Sequence, residues 1–170
     1  MRCRVLVCSM ALVAGCSGGG GGDDAPPKSG ADVPRGDVAV ADPGKALARA
    51  TFDGPSGKIE LAVVSLTARG RLANLALSLT PHHPDKTSMG AFLYFGYYVP
   101  EATLVDPVNL KRYLVVKDSE GAALGAGNVN YNLNQPNTLQ YTFAAPPENV
   151  KSIDVHFGDF PPFRNVPISR

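Results

Sequence analysis

The chain has 170 residues, with 18 Gly, 15 Pro, no Trp and a formal net charge of +1. Near-neutral charge without a cluster of Lys and Arg argues against a nucleic-acid binder, because phosphates must be neutralised by grouped cations. All three cysteines, Cys3, Cys8 and Cys16, lie in the first sixteen residues, which excludes a disulfide framework or a cysteine-ligated metal from the rest of the chain.

The N-terminus has the three parts of an export signal. Arg2 and Arg4 supply the positive end, residues 5–13 are almost all apolar, and Ala14 and Gly15 are small. The apolar stretch falls well short of the roughly twenty residues that span a bilayer as a helix, so processing is expected rather than a permanent span. The residues Val13, Ala14, Gly15 and Cys16 resemble the lipobox of bacterial lipoproteins: an aliphatic residue three positions before a cysteine, with small residues directly before it. The resemblance implies cleavage between Gly15 and Cys16 and a diacylglycerol on the Cys16 sulfur. A thiolate is the nucleophile such a linkage needs. Two long acyl chains, at roughly 0.8 kcal/mol per buried CH₂, hold a protein durably where one does not. The implied place is the outer face of the bacterial cytoplasmic membrane, with the membrane as partner through Cys16. The plain alternative is an ordinary secretory signal that leaves a free cysteine, an unusual feature of a secreted protein.

In residues 16–45, Cys16 and Ser17 are followed by five consecutive glycines and then mainly by Pro, Asp, Ser and Ala. Such a composition buries too little to offset the entropy of ordering, so a tether is expected, with an end-to-end distance of roughly 30 Å. Arg35-Gly36-Asp37 matches the integrin adhesion tripeptide, but three-residue matches arise by chance in a solvated linker.

Residues 46–170 are expected to form one domain. Apolar residues alternate with period two, the pattern of half-buried strands. Leu75, Leu77 and Leu79 share one face, as do Leu139, Tyr141 and Phe143, and Ile153, Val155 and Phe157, the last set with Ser152, Asp154 and His156 outward. Ile59, Leu61 and Val63 alternate until the pattern slips at Val64 and Leu66, which predicts a bulge. The stretch RYLVVKD at 112–118 is apolar on both faces and reads as a central strand; FLYFGYYV at 92–99 also reads as strand, with Phe92, Tyr94, Phe95, Tyr97 and Tyr98 massed together. Turn residues separate these runs, and no amphipathic helix is apparent. The fold class expected is an all-β, antiparallel, immunoglobulin-like sandwich of about seven to nine strands.

A second resemblance lies in residues 102–121 (ATLVDPVNLKRYLVVKDSEG) and 141–168 (YTFAAPPENVKSIDVHFGDFPPFRNVPI). These look like a domain of exported lipoproteins from high-GC Gram-positive bacteria, in which an LVDP strand end precedes a Lys/Arg-Tyr strand and a PPF…VPI segment closes the domain. The likeness implies an immunoglobulin-like extracellular domain of unknown function. It also implies a cysteine pair in the turn after Gly121, where this chain has Ala122, Ala123 and Leu124.

The candidate chemistry is sparse. His82, His83 and Asp85 offer ligand types suited to zinc or copper, but no spacing rule links them, and a Pro-flanked polar turn is the plainer reading. Asn128, Asn130, Asn132 and Asn134 recur every second residue, an arrangement suited to sugars or a peptide strand, against the plainer reading of a polar edge strand. Tyr97 and Tyr98 could add an aromatic contact patch, although an aromatic run is more often core. No nucleophile elbow, Ser-x-x-Lys pair, His-Glu-x-x-His helix or phosphate loop is present. The expected function is therefore a lipid-anchored, non-catalytic interaction module, without a cofactor, whose partner is an envelope protein or cell-wall component. The alternative is an extracytoplasmic solute, glycan or metal-binding protein.

Overall fold

The computed structural model describes residues 45–170; Gly15, Cys16 and the tether up to residue 44 lie outside the described residues. In chain order the elements are β1 (Ala48–Gly54), β2 (Gly57–Arg69), β3 (Leu72–Pro81), β4 (Ser88–Gly90), the single-turn helix α1 (Ala91–Tyr94), β5 (Ala102–Asp106), β6 (Lys111–Leu114), β7 (Asn130–Asn132), β8 (Asn137–Ala144), β9 (Ser152–Phe157) and β10 (Phe163–Pro167). The expected all-β sandwich is present. One sheet runs β1-β2-β3-β8, the other β10-β9-β5-β6, and β4 with β7 forms a separate ribbon; all these pairings are antiparallel. Among the described residues the ten strands exceed the seven to nine expected, because β4 and β7 are three-residue strands too short to show a period of their own.

Alternation places the core. Leu75, Leu77 and Leu79 of β3, and Leu139, Tyr141 and Phe143 of β8, are buried and share a face through the register Leu75↔Tyr141 and Leu77↔Leu139. Leu104 of β5 and Ile153, Val155 and Phe157 of β9 supply the facing layer. Each such side chain contributes roughly 1.5–3 kcal/mol on burial.

The slip in β2 is a bulge. Val63 pairs with Leu77 and Ser65 with Ala76, so Val64 is the extra residue and Leu66 returns to the buried face. The bulge divides the outer edge of β2. Residues 57–63 pair with β1, whereas beyond it Ser169 takes the edge: its N–H donates to the Leu66 carbonyl at 2.9 Å and its carbonyl accepts from Ala68 N at 2.8 Å. The turn between β1 and β2 needs glycine at position 57, where φ is +148° and a Cβ would collide with the His82 carbonyl.

Two strand readings are corrected. Residues 112–118 are not a central strand: β6 ends at Leu114, is the edge of its sheet, and leaves Leu114 exposed. The chain then changes sheets, Val115 bridging to Phe143 and Val116 N donating to the Thr142 carbonyl at 2.8 Å. Apolar residues appear on both faces because the segment serves two sheets in turn. Asp154 lies on the predicted outward face but is buried, accepting Asn165 N at 2.9 Å and facing Arg164 Nη1 at 3.6 Å.

The turn from β5 to β6 is built on Asp106. Its carboxylate accepts from Val108 N, Asn109 N and, at 2.6 Å, Asn109 Nδ2. The Asn109 side-chain amide, then the backbone N–H groups and the charge of Lys111, hold this carboxyl below its usual range against the opposing effect of desolvation.

Candidate interaction site

The aromatic run is a turn of helix and a left-handed bend, not a strand. Ala91, Tyr94 and Phe95 are buried while Phe92, Leu93, Tyr97 and Tyr98 are exposed. That i, i+3, i+4 spacing is helical, and aromatics on both faces hide it from a period-two reading. No side chain of α1 caps its N-terminus, so its first N–H groups bond to the asparagine segment: Ala91 N donates to the Val129 carbonyl at 2.7 Å and Phe92 N to Asn128 Oδ1 at 3.2 Å. At the other end Tyr97 N donates to the Phe92 carbonyl at 2.7 Å, and both Gly96 and Tyr97 have positive φ, 75° and 72°. Gly96 adopts this region freely. For Tyr97 it costs about 1–2 kcal/mol.

Two aromatic side chains fasten the bend to the core. The Tyr94 hydroxyl donates toward the Lys58 carbonyl at 3.0 Å and the His82 carbonyl at 3.1 Å; burial raises its pKa, with the His82 bond acting the other way. Phe95 is fully buried, with edge-on contacts to Tyr94, Tyr131 and Phe157. The remaining rings face water. Phe92 and Tyr97 meet edge to face at 5.5 Å, Leu93 is 55% and Tyr97 73% exposed, and Val129 is exposed beside them. Tyr98 packs one side against Phe95, and burial, followed by the Asp159 charge, raises its pKa.

The asparagine segment is not one ladder. Only residues 130–132 are strand, paired as Ser88↔Asn132, Met89↔Tyr131 and Gly90↔Asn130, with Tyr131 buried. Asn128 is occupied with α1. Asn134, at φ 61°, grips His83 through both amide atoms, accepting from His83 N at 3.2 Å and donating to the His83 carbonyl at 2.9 Å. Asn137, outside the sequence pattern, orders the loop by accepting Asn132 N at 2.9 Å and turning its Nδ2 toward the Leu79, Asn132 and Gln135 carbonyls. The side chains of Asn130 and Asn132 are left exposed, beside an open trough of about 350 Å³ that also takes in Val129, Pro136 and Thr138.

The structure therefore brings Asn128, Asn130, Tyr97 and Tyr98 into one corner around α1 and the β4–β7 ribbon. It does not join the histidines to them. His82 Nε2 lies 3.4 Å from Glu60 Oε1, whereas His83 Nδ1 accepts from Asp85 N at 3.1 Å, so the two rings engage different neighbours. Among the described residues no three His, Cys, Asp or Glu side chains are grouped to hold a metal ion. His156 sits on the other sheet, beside Thr103, in a shallow polar depression with Glu101, Arg112 and Asp159. Leu93 and Val129 extend the corner beside Phe92; the i, i+3, i+4 spacing of Ala91, Tyr94 and Phe95 is the signal that marks Phe92 and Leu93 as outward. Comparison of the chain with protein-family models, with curated proteins and with solved structures gives no match.

Proposed function

We propose that this chain is a lipid-anchored extracytoplasmic protein that acts without catalysis, holding a partner in the cell envelope through the corner formed by α1 and the β4–β7 ribbon. The observation that carries the anchoring is the lipobox-like Val13-Ala14-Gly15-Cys16 behind a short charged and apolar leader. Support for the corner is physical. Phe92, Leu93, Tyr97 and Val129 expose apolar surface on a bend held by backbone hydrogen bonds, and Tyr97 is kept in a costly conformation. Exposed apolar clusters mark contact surfaces, and residues held in strained backbone regions concentrate at functional ones. Rigid aromatic side chains lose little entropy on binding, which suits them to anchor an interface.

Changing Cys16→Ala is expected to abolish labelling by radioactive palmitate and to move the protein out of the membrane fraction. A variant that stays with the membrane would remove the anchoring claim. Crosslinking on intact envelopes is expected to yield an adduct that is lost in the double variant Phe92→Ala, Tyr97→Ala but kept in Leu114→Ala, whose exposed leucine lies on β6 of the second sheet. The second reading, a glycan or solute binder, is favoured by the trough beside Asn130 and Asn132; saturable shifts of those amides by an oligosaccharide would establish it.

A further inference from the structure

The crossing from β6 to the edge of β8 encloses a cleft that adjoins the aromatic corner at Asn128. Val116 N bonds to the Thr142 carbonyl at 2.8 Å and Ala126 N to the Gln140 carbonyl at 3.1 Å, which lays residues 115–127 alongside β8. The cleft measures about 340 Å³, with Tyr141 as its floor and Val99, Val115, Ala122, Ala123 and Ala126 as its walls. Small-molecule sites begin at about 300 Å³. Position 125 must be glycine for the backbone to lie this close, since a Cβ there would stand 2.5 Å from Tyr141 Cδ1.

Three polar groups meet this apolar lining. Tyr141 is only 3% exposed, and its hydroxyl makes no hydrogen bond among the described residues. Burial first, then the Tyr131 phenol and the Glu101 carboxylate, raise its pKa, and Glu101 lines the same cleft. The Glu101 carboxylate is in no ion pair among the described residues and is the one charged side chain of the lining. Asn128 Oδ1 is taken by Phe92 N.

We propose that this cleft binds an alkylammonium group, with its hydrocarbon body against Val99, Val115 and Ala126 and its charge on Glu101, the Tyr141 hydroxyl serving as second acceptor. The sign of the ligand follows from the lining. A carboxylate would be repelled by Glu101, and a neutral hydrocarbon would gain nothing from that exposed charge. An ammonium group pairs with the charge and donates a second hydrogen bond to the Tyr141 hydroxyl. The site does not depend on the lipid anchor, so the two claims stand or fall separately.

The test is a titration of the ¹⁵N-labelled full chain with hexylammonium, hexanol and hexanoate, followed by amide shifts. Hexylammonium is expected to shift residues 99–101, 122–128 and 141 saturably, with hexanol and hexanoate at least about tenfold weaker. Glu101→Gln is expected to lose about tenfold or more in affinity, and Ala126→Leu, which fills the cleft while leaving the charge, to lose binding. Nα-acetyl-lysine methylamide separates the sources: tighter binding than hexylammonium assigns a lysine side chain of a peptide, weaker binding a free amine. Absent shifts, equal affinities for the three hexyl probes, or unchanged binding by both variants would overturn the proposal.

Discussion

The two halves of this domain use the same backbone bonds to different ends. In the sheets, β2, β3 and β8 bond to one another strand by strand, as β9 does to β5 and β10, and side chains decide only which face is inside. At the corner formed by α1 and the β4–β7 ribbon, Asn128, Asn134 and Asn137 stand in for missing backbone partners. The sheets therefore tolerate many sequences with the right alternation. The corner depends on individual amides, and gains in exchange the freedom to hold Phe92, Leu93 and Tyr97 in water.

That contrast is open to breaking. The largest effect is expected in the sheets: Leu77→Ala, at a fully buried position, should cost about 3 kcal/mol in urea unfolding. A cost below about 1 kcal/mol would mean that the layers are not tightly packed. Tyr94→Phe keeps the ring and removes only the hydroxyl bonds to Lys58 and His82, so about 1 kcal/mol is expected, with local loss of amide protection around α1. Tyr97→Gly should act in the opposite direction, raising stability by a few tenths to about 1 kcal/mol by relieving positive φ while weakening the envelope crosslink. Leu93→Ser, at a 55% exposed position, should leave unfolding unchanged within about 0.5 kcal/mol.

Alkaline titration sharpens the same comparison. Burial pushes Tyr131 up to about 12, and Tyr141 is raised further in the same direction. The unfolded chain ionises these phenols near pH 10 while the folded chain keeps them protonated, so stability is complete below pH 10 and falls as pH rises through the folded values. Absorbance at 295 nm should show tyrosinate appearing late and together with unfolding. At the acid end, Asp106 has a depressed pKa, so its contribution is present above the ordinary carboxylate range and is lost as pH falls below it.

What could be read in advance follows the same division. The faces of β3, β8 and β9 and the bulge at Val64 are legible because each rests on period-two alternation, which burial enforces. Residues 112–118 mislead because a strand that changes sheets looks like one buried on both sides. The aromatic run misleads for a related reason: rings on every side of α1 erase the helical period, and only the sparing placement of Gly90 and Gly96 hints at a bend. The cleft beneath Glu101 was invisible for a third reason. It forms from side chains that are small or absent at Ala122, Ala123 and Gly125, and Tyr141 reads as ordinary core.

Val64 carries a lesson about chain length. Deleting it would leave Val63, Leu66 and Ala68 in faultless alternation, so any scheme that scores polarity alone would count the change as harmless. Yet the second half of β2 would slide by one residue, about 3.4 Å, and the Leu66 carbonyl and Ala68 amide would no longer meet Ser169. The supernumerary residue works as a spacer that sets where the two ends of the domain meet on a single strand, a quantity that inside-outside patterning does not encode.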